Sequence, residues 1–267
     1  MSVCILLGAY ACEKDFENPN ASTPDDAVKT QEGLVNLVVG LKNRFAVNSA
    51  LGNGSVFTSL TVNGFTTYEL SSGPGGNLDF NQLNQGFNAI TSNNSVITDL
   101  WSNCLQTNNL ASIILENLPV VQDPDIRTNI ERYALLYKAI SIGTLVNFWQ
   151  KVPVQTGEQA VFLDSTAALR VAIGLLNRVI ALPNPANGSK LGAEINLRNS
   201  ALALSARYHL MTGNYDSAIL RAAAVDINPL SQAARSIFIY NNQNVNPVFL
   251  SGFNSQFAYR PDPLLGL

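Results

Sequence analysis

Apolar residues recur at steps of three and four along much of the chain, which is the spacing of one face of an α-helix. The first such stretch begins at Thr23-Pro24-Asp25-Asp26, where a threonine cap, a proline and two acids are typical of a helix start, and it runs to about Ala46. Further helices are predicted at 96–118, 126–149 and 165–181. The chain is therefore predicted to be mostly α-helical.

The clearest helical pair lies at residues 194–229. Its first helix follows Asn196, a good N-cap, and ends at Gly213, a residue that can take the positive φ of a helix C-terminus. The return helix runs to Val225, and the segment Gly213–Ile219 resembles the turn and second helix of a tetratricopeptide repeat. Because one such unit cannot bury its faces alone, the preceding helices are predicted to stack on it. An ordinary helical hairpin is the alternative.

Residues 48–95 differ, because they are rich in Gly, Asn, Ser and Thr and carry almost no charge. Asn63-Gly64 lies between Val56–Val62 and Phe65–Leu70, which are rich in β-branched and aromatic residues, and this pattern predicts a β-hairpin. The glycine-rich segment 71–77 is predicted to be a loop. The expected fold is thus a set of tetratricopeptide-like helical pairs with an irregular loop or hairpin insertion at about 48–95.

The N-terminal residues are typical of a bacterial lipoprotein signal. An apolar run, Val3–Ala11, ends in small residues directly before Cys12, whose thiol would take the diacylglycerol anchor. Residues 1–11 are therefore predicted to be an export signal and residues 12–22 a polar tether. No Lys or Arg precedes the run, which leaves open a start upstream of Met1, and a buried N-terminal helix or strand is the alternative.

Composition and charge narrow the function classes. The 267 residues are 46% apolar and 13% charged, and the net charge is −3 without a basic run, so the electrostatic footprint of a nucleic-acid-binding protein is missing. No apolar stretch reaches the length of about 18 residues that a membrane-spanning helix needs. The cysteines, Cys4, Cys12 and Cys104, form neither a disulfide framework nor a zinc motif, and Cys104 is interpreted as a buried apolar residue.

Catalytic groups are not concentrated anywhere in the sequence. The single histidine, His209, lies within a predicted packed helix, and the acids cluster at helix starts, where the helix dipole accounts for them. No motif for a metal, a cofactor or a nucleophilic triad is found. The chain is therefore predicted not to be an enzyme, although a glycosidase carboxylate pair that meets only in space stays open.

Aromatic residues flanked by amides suit sugar binding, because rings stack on the apolar face of a pyranose while Asn and Gln bond its hydroxyls. Two loop-rich regions have this composition, and each of their aromatic residues could instead belong to the core. The candidate ligand contacts are Phe65, Tyr68, Asn77, Asp79 and Phe80, together with Phe253, Phe257 and Tyr259. Trp101 and Trp149 lie on predicted helical seams and are interpreted as structural.

Four segments with degenerate motifs follow one another in a specific order and together cover residues 12–229. They are Cys12–Phe16 leading to Thr23-Pro24 and Gly33-Leu34; Trp101 through Asn108-Asn109 to Ile113-Ile114; Glu131–Tyr137 followed by Leu145–Pro153; and Asn199–Ala224 with Ala206–Leu210 and Gly213–Tyr215. In this order they resemble the SusD/RagB family of outer-membrane nutrient-binding lipoproteins. Gln150 stands where that family usually has glycine.

The resemblance implies both a fold and a function. Residues 23–229 would form a SusD-like helical domain, an α/α superhelix, and residues 230–267 would be the start of a C-terminal region that is incomplete beside the family's longer chains. A lipid on Cys12 would anchor the protein at the cell surface of the outer membrane. It would capture oligosaccharides or peptides, without a cofactor, for import through a TonB-dependent, SusC-like transporter. The alternative is a helical-repeat scaffold that binds only other proteins.

Overall fold

The computed structural model describes residues 24–47, 54–73, 77–158, 160–184, 191, 195–228, 236–242, 244–250 and 259–263. The predicted export signal, the lipidation site Cys12 and the tether lie outside the described residues and stay predictions. Helices dominate the described ranges, which confirms the mostly α-helical class.

The bounds of the elements follow the predicted helical stretches closely from residue 95 onwards. The helices are α1 (Pro24–Ala27), α2 (Gln31–Ala46), α3 (Ser55–Thr66), α4 (Leu78–Gln85), α5 (Ser95–Glu116), α6 (Pro124–Val146), α7 (Ser165–Ala181), α8 (Leu197–Met211), α9 (Tyr215–Ala223) and α10 (Pro247–Phe249). Short 3₁₀ turns cover Phe87–Ala89 and Leu118–Val120. The strands are β1 (Leu70–Ser72), β2 (Lys151–Pro153), β3 (Phe162–Asp164) and β4 (Tyr259–Pro261).

Side-chain caps explain where the long helices begin. The carboxylate of Asp123 accepts hydrogen bonds from the backbone N–H groups of Asp125 and Ile126, at 2.9 and 3.1 Å. Asp164 and Asn196 cap α7 and α8 in a similar way. Each cap satisfies backbone donors that the first helical turn leaves without a partner, and the N-cap predicted at Asn196 is confirmed.

Helices α5 to α9 form an array, which we call the α5–α9 array, in which each helix packs on the next one in sequence. Helix α6 is its most buried member, with Ile130, Ala134 and Ile142 fully buried. Gly143 lets α6 and α8 approach closely, because a Cβ at this position would lie 2.0 Å from the hydroxyl oxygen of Tyr208. Sequential packing of this kind is the geometry of stacked helical pairs.

The α8–α9 pair confirms the helical pair predicted at 194–229. Gly213 ends α8 with φ of 75°, and the N–H of Asn214 donates to the carbonyl of His209 at 2.9 Å, so the helix closes in a Schellman motif. Within α9, Ala218 is the buried residue, and the other side chains that the structure describes on this helix are partly or fully exposed. The pair therefore packs through α8 and presents most of α9 to solvent.

The predicted hairpin around Asn63-Gly64 is wrong, because this segment is the last turn of helix α3. The threonines that suggested strands have other partners: the hydroxyls of Thr58 and Thr61 donate to the carbonyls four residues before them, at 3.1 and 2.7 Å. Thr61 and Phe65 then follow one another on the buried face of the helix. Hydroxyls that bond to the preceding turn in this way let a threonine-rich segment stay helical.

Residues 78–94 are also more regular than the predicted insertion, because they contain α4 and a 3₁₀ turn. The short strand β1 pairs in antiparallel fashion with β4, with Leu70 opposite Pro261. Strand β4 lies within residues 230–267, the predicted start of a C-terminal region, and its pairing with β1 brings residues 259–261 beside α3 and α4. We call residues 54–94 the α3–α4 region.

The interior thiol and the second sheet complete the fold. Cys104 of α5 is fully buried, as predicted, and its thiol donates to the hydroxyl of Ser55, the first residue of α3, at 3.6 Å. Burial raises the pKa of this thiol to about 12, although the hydrogen bond to Ser55 opposes the rise. Strands β2 and β3 form an antiparallel hairpin after α6, with Pro153 opposite Phe162. None of the helices in the described ranges is both long and apolar enough to cross a membrane.

Candidate ligand-binding surface on helix α5

Three of the aromatic residues predicted as ligand contacts meet in the core of the α3–α4 region. Phe65 and Phe80 are buried, and their rings stack with centroids 5.0 Å apart. Tyr259 of β4 packs edge-on against both rings, at 6.4 and 6.3 Å. These three side chains pack in a hydrophobic core. For each of them, membership of the core was the stated alternative to ligand contact. Phe253 and Phe257 lie outside the described residues.

Tyr68 differs from the buried rings because 51% of its surface is exposed. Its φ of 59° is unusual for a residue other than glycine, and it arises from the end of α3. There the N–H of Glu69 donates to the carbonyl of Gly64 at 2.8 Å and the N–H of Tyr68 to the carbonyl of Phe65 at 3.4 Å, the two bonds of a Schellman motif. The helix end therefore presents the tyrosine ring to solvent.

Asn77 and Asp79 organise the start of two helices. The amide oxygen of Asn77 accepts from the N–H of Asp79 at 2.8 Å and so caps α4. The carboxylate of Asp79 accepts two hydrogen bonds from Ser95, the first residue of α5. One comes from the backbone N–H of Ser95, at 3.3 Å, and the other from its hydroxyl. Of the predicted ligand contacts between residues 65 and 80, Tyr68 and Asn77 have exposed side chains. Ligand binding by this set stays a prediction.

A different group of aromatic side chains forms a surface where α5, the end of α6 and β3 meet. The ring of Trp101 lies 5.0 Å from that of Trp149, edge-on, and 6.4 Å from that of Phe162, nearly parallel to it. Phe148 packs edge-on against Trp149 at 5.9 Å. Phe162 is 53% exposed, and Trp101, Phe148 and Trp149 are partly exposed while also packing on the core. We call these four residues the aromatic surface.

This surface is not among the ligand contacts predicted from the sequence. The interpretation of Trp101 and Trp149 as structural agrees with the side of each ring that packs on the core. Phe162 is not one of the predicted residues, and its only signal in the sequence is a short apolar segment, residues 160–163, after the polar residues 155–159. The pairing of β2 with β3 brings Phe162 to Trp101, and this register is not visible in the pattern of either strand.

Beyond Trp101, helix α5 borders a groove that we call the α5 groove. Its larger part, of about 640 Å³, is lined by α5 residues, Arg44 of α2 and the loop after β2; a smaller part of about 380 Å³ shares Asn109, Ile113 and Thr156 with it. The lining includes Arg44, Leu105, Gln106, Asn109 and Thr156 in the larger part, and Ser112, Glu116 and Lys138 in the smaller part. Trp101, Leu105 and Asn109 follow at steps of four, so the groove continues the face of α5 that carries the aromatic surface.

Polar side chains hold the walls of the α5 groove. The hydroxyl of Thr156 donates to the amide oxygen of Asn109 at 2.9 Å, which ties the loop to α5. The ammonium group of Lys138 donates to the hydroxyl of Ser112 at 2.7 Å. Burial lowers the pKa of Lys138, while the nearby carboxylate of Glu116 acts in the opposite direction. The groove thus offers amides, hydroxyls and a half-buried cation beside apolar side chains, which is the composition of a binding site for a polar ligand.

His209 is half-buried on α8. Burial and then the charge of Arg221 lower the pKa of its imidazole. Both effects favour the neutral form, which fits the interpretation of this residue as part of the packing of the α8–α9 pair.

Comparison with known proteins gives structural but no sequence-level matches. No protein-family model matches the chain, and no curated protein matches it by sequence. A SusD superfamily protein from Bacteroides vulgatus ATCC 8482 has a TM-score of 0.61 at 13% identity, and the alignment covers 75% of this chain and 44% of that one.

Two further solved structures give the same result. A SusD-like carbohydrate-binding protein from Bacteroides fragilis NCTC 9343 has a TM-score of 0.57 at 14% identity, covering 74% of this chain and 40% of that one. A laminarin-binding SusD-like protein has a TM-score of 0.54 at 17% identity, covering 78% and 46%. The chain therefore spans less than half of the length of each of these structures. At such identities the likeness shows the fold, and it confirms the resemblance that the sequence predicted: this chain has the helical fold of the SusD-like proteins.

Proposed function

We propose that this protein is a non-enzymatic receptor that captures oligosaccharides, with peptides as the other ligand class that the resemblance implies, at the surface of the outer membrane. A lipid on Cys12 anchors it, and a TonB-dependent, SusC-like transporter imports the captured ligand. The observation that carries this proposal is the aromatic surface around Trp101 and Phe162, which leads into the α5 groove. The fold supports it, because two of the similar structures are described as carbohydrate-binding or laminarin-binding.

The chemistry of the aromatic surface suits a sugar. A pyranose has an apolar face of C–H groups that stacks on an exposed ring, and Phe162 offers such a ring next to Trp101. The hydroxyls at the edge of the sugar need donors and acceptors, and Gln106 and Asn109 supply amides along the same helix. Rings beside amides are the combination from which the sequence predicted sugar binding, although at other residues.

Calorimetric titration with a panel of oligosaccharides tests this proposal. We expect at least one glycan to bind, and Phe162→Ala to weaken that binding about tenfold, or about 1.4 kcal/mol, because a stacked ring is lost. Phe87→Ala is the matched control, since Phe87 is 94% exposed and lies outside the aromatic surface. Sugar binding by this surface is wrong if no glycan binds, or if the two variants weaken binding equally.

The anchor and the transporter need tests of their own. Radiolabelled palmitate should enter the protein in a bacterial host and should be lost in Cys12→Ala. Absence of label in the unaltered protein would contradict the anchor. Co-purification with a TonB-dependent transporter from outer membranes would support the partner, and its absence under conditions where the glycan binds would contradict it.

A protein-interaction scaffold is the second candidate function, and the exposed face of the α8–α9 pair favours it. Leu210, Tyr215, Ile219 and Leu220 are all exposed there. In stacked helical arrays an apolar face of this kind is covered by the next helical pair, so the partner would be an amphipathic helical pair of another protein. Binding of any glycan in the titrations counts against a pure scaffold.

A further inference from the structure

Two cations line the α5 groove, one in each of its parts. Arg44 borders the larger part and Lys138 the smaller part, and Asn109 and Thr156 are common to both. The guanidinium of Arg44 donates to the amide oxygen of Gln106, and Lys138 donates to a serine hydroxyl. Both partners are neutral. The groove therefore holds two positive charges on one continuous surface.

Neither cation has a carboxylate partner within the described part of the chain at the 4 Å limit of an ion pair. The ion pairs among the described residues are Lys29 with Asp26 and Arg178 with Glu131, and none of these four side chains lines the α5 groove. Glu116 is the carboxylate that lines the smaller part of the groove, and it acts on Lys138 electrostatically without forming an ion pair. The two cations outnumber this one acid among the described lining residues, so the groove favours an anion.

The burial of Lys138 strengthens this argument. A charge that is half withdrawn from water loses hydration free energy, and an opposite charge brought by a ligand compensates for that loss. Arg44 has a guanidinium with five N–H donors, and its bond to Gln106 among the described residues uses one of them. The remaining donors can form a two-pronged hydrogen bond with a carboxylate.

The other side chains of the groove indicate what carries the negative charge. Asn109, Ser112 and Thr156 are neutral groups that bond hydroxyls, and Leu105 and Ile113 give apolar contact between them. Trp101 extends this surface by one turn of α5. A chain of sugar rings that bear carboxylates offers partners to all of these kinds of group, whereas a neutral sugar offers no opposite charge to the two cations.

We infer that the α5 groove binds acidic oligosaccharides through their uronic acid residues, with Arg44 and Lys138 pairing with the carboxylates. This inference rests on the proposed function and names the substrate class of the same surface. Ionic pairing adds to the stacking on Trp101 and Phe162, so an oligo-uronate binds more tightly than its neutral counterpart and loses this advantage as salt screens the charges.

The experiment is a calorimetric titration of the full chain with an oligogalacturonate and with the same oligosaccharide after chemical reduction of its carboxyl groups. We expect the acidic form to bind about tenfold more tightly, the size of one charge-assisted hydrogen bond in a partly buried site. Arg44→Gln and Lys138→Gln each lower the affinity for the acidic form towards that for the reduced form. Arg170→Gln is the matched control, since Arg170 is an exposed cation on α7. Thermal unfolding of each variant checks that it remains folded, and the salt dependence of the unaltered chain needs no variant.

The outcomes separate this inference from the proposed function. If neutral glycans bind as tightly as acidic ones and the Arg44 and Lys138 variants bind like the control, the uronate assignment is wrong while sugar capture stands. If no glycan binds, sugar capture itself is wrong. Preferential binding of a sulfated oligosaccharide or of an acidic peptide, tested at equal charge, also overturns the uronate assignment.

Discussion

The α3–α4 region and the α5–α9 array are both helical, but their cores are completed in different ways. In the array each helix packs on its neighbour in sequence. In the α3–α4 region the stacked rings of Phe65 and Phe80 are covered by Tyr259, and β1 finds its partner in β4, close to the end of the sequence. One region is built from local contacts and the other depends on a distant segment.

This difference has consequences for stability and for the two candidate binding regions. A contact between neighbouring helices closes only a short loop, whereas the pairing of β1 with β4 closes the loop from Ser72 to Tyr259, at a larger cost in conformational entropy. The aromatic surface and most of the α5 groove lie on the array, so we expect them to keep their geometry when the α3–α4 region opens. Tyr68 and Asn77 lie in the region that depends on the distant closure.

The largest expected change in stability comes from removing the ring of Phe65, which packs against Tyr259 in the core of the α3–α4 region. Phe65→Ala should lower the free energy of unfolding by about 3–5 kcal/mol, because a fully buried ring is replaced by a cavity. Urea unfolding measures this change. Phe87→Ala, at an exposed position of the same region, should change stability by less than about 0.5 kcal/mol. Equal small effects would mean that Phe65 does not lie in the core and is available to a ligand.

The array has its own sensitive point where α6 meets α8. Gly143→Ala should destabilise the protein by about 3 kcal/mol, because the added Cβ overlaps the buried side chain of Tyr208. Gly174→Ala on α7 is the matched control, since nothing lies within 4 Å of its Cβ, and it should stabilise the helix by up to about 1 kcal/mol. Chemical denaturation of the two variants gives both values. Similar changes in the two would show that α6 and α8 are not in close contact.

The sequence predicted the array well because its signals are local. A cap such as Asp123 and a terminator such as Gly213 mark the helix ends, and apolar steps of three and four mark the faces that neighbouring helices bury. The same rules failed for α3. Its buried face mixes Phe57 and Phe65 with threonines, and the hydroxyl bonds that make those threonines compatible with a helix appear only once the helix exists.

The sequence predicted the residue types of the candidate site, but not which residues form it. Aromatic rings beside amides correctly describe the surface of α5, yet the residues selected from the sequence included Phe65 and Phe80, which are buried. Tyr259, which packs on both rings, comes from a segment far away in sequence, and the position of Phe162 beside Trp101 depends on strand register. Neither is encoded in the periodicity of a single segment. The family resemblance predicted the fold, which the structural comparisons confirm.

Helices α3 and α8 both end in a Schellman motif, with Tyr68 in one and Gly213 in the other at the position of positive φ. Substitutions at these two positions should have smaller effects on stability. Gly213→Ala should destabilise the α8 end by about 1 kcal/mol, because alanine is strained at φ of 75°. Tyr68→Gly at the α3 end should do the opposite and stabilise by about 1 kcal/mol, since the left-handed conformation then carries no strain. Differential unfolding in urea measures both. A loss of stability in Tyr68→Gly would show that the ring makes packing contacts that outweigh its backbone strain.

The smallest expected effect decides between helix and hairpin in the α3–α4 region. Asn63→Ala replaces an exposed residue within the last turn of α3. Alanine is the better helix former, so the variant should be more stable by about 0.5 kcal/mol. The bond from the hydroxyl of Thr67 to the carbonyl of residue 63, at 2.8 Å, uses the backbone and is kept.

In the predicted hairpin the same substitution would have the opposite sign. Asn63 would then occupy a turn position that needs positive φ, which alanine tolerates poorly, so stability would fall by about 1 kcal/mol. The sign of the change in urea midpoint is therefore more informative than its size. Ser59→Ala, earlier on α3, is the matched control, because a helix predicts a change of similar sign at both positions, whereas a turn predicts a loss at residue 63 alone.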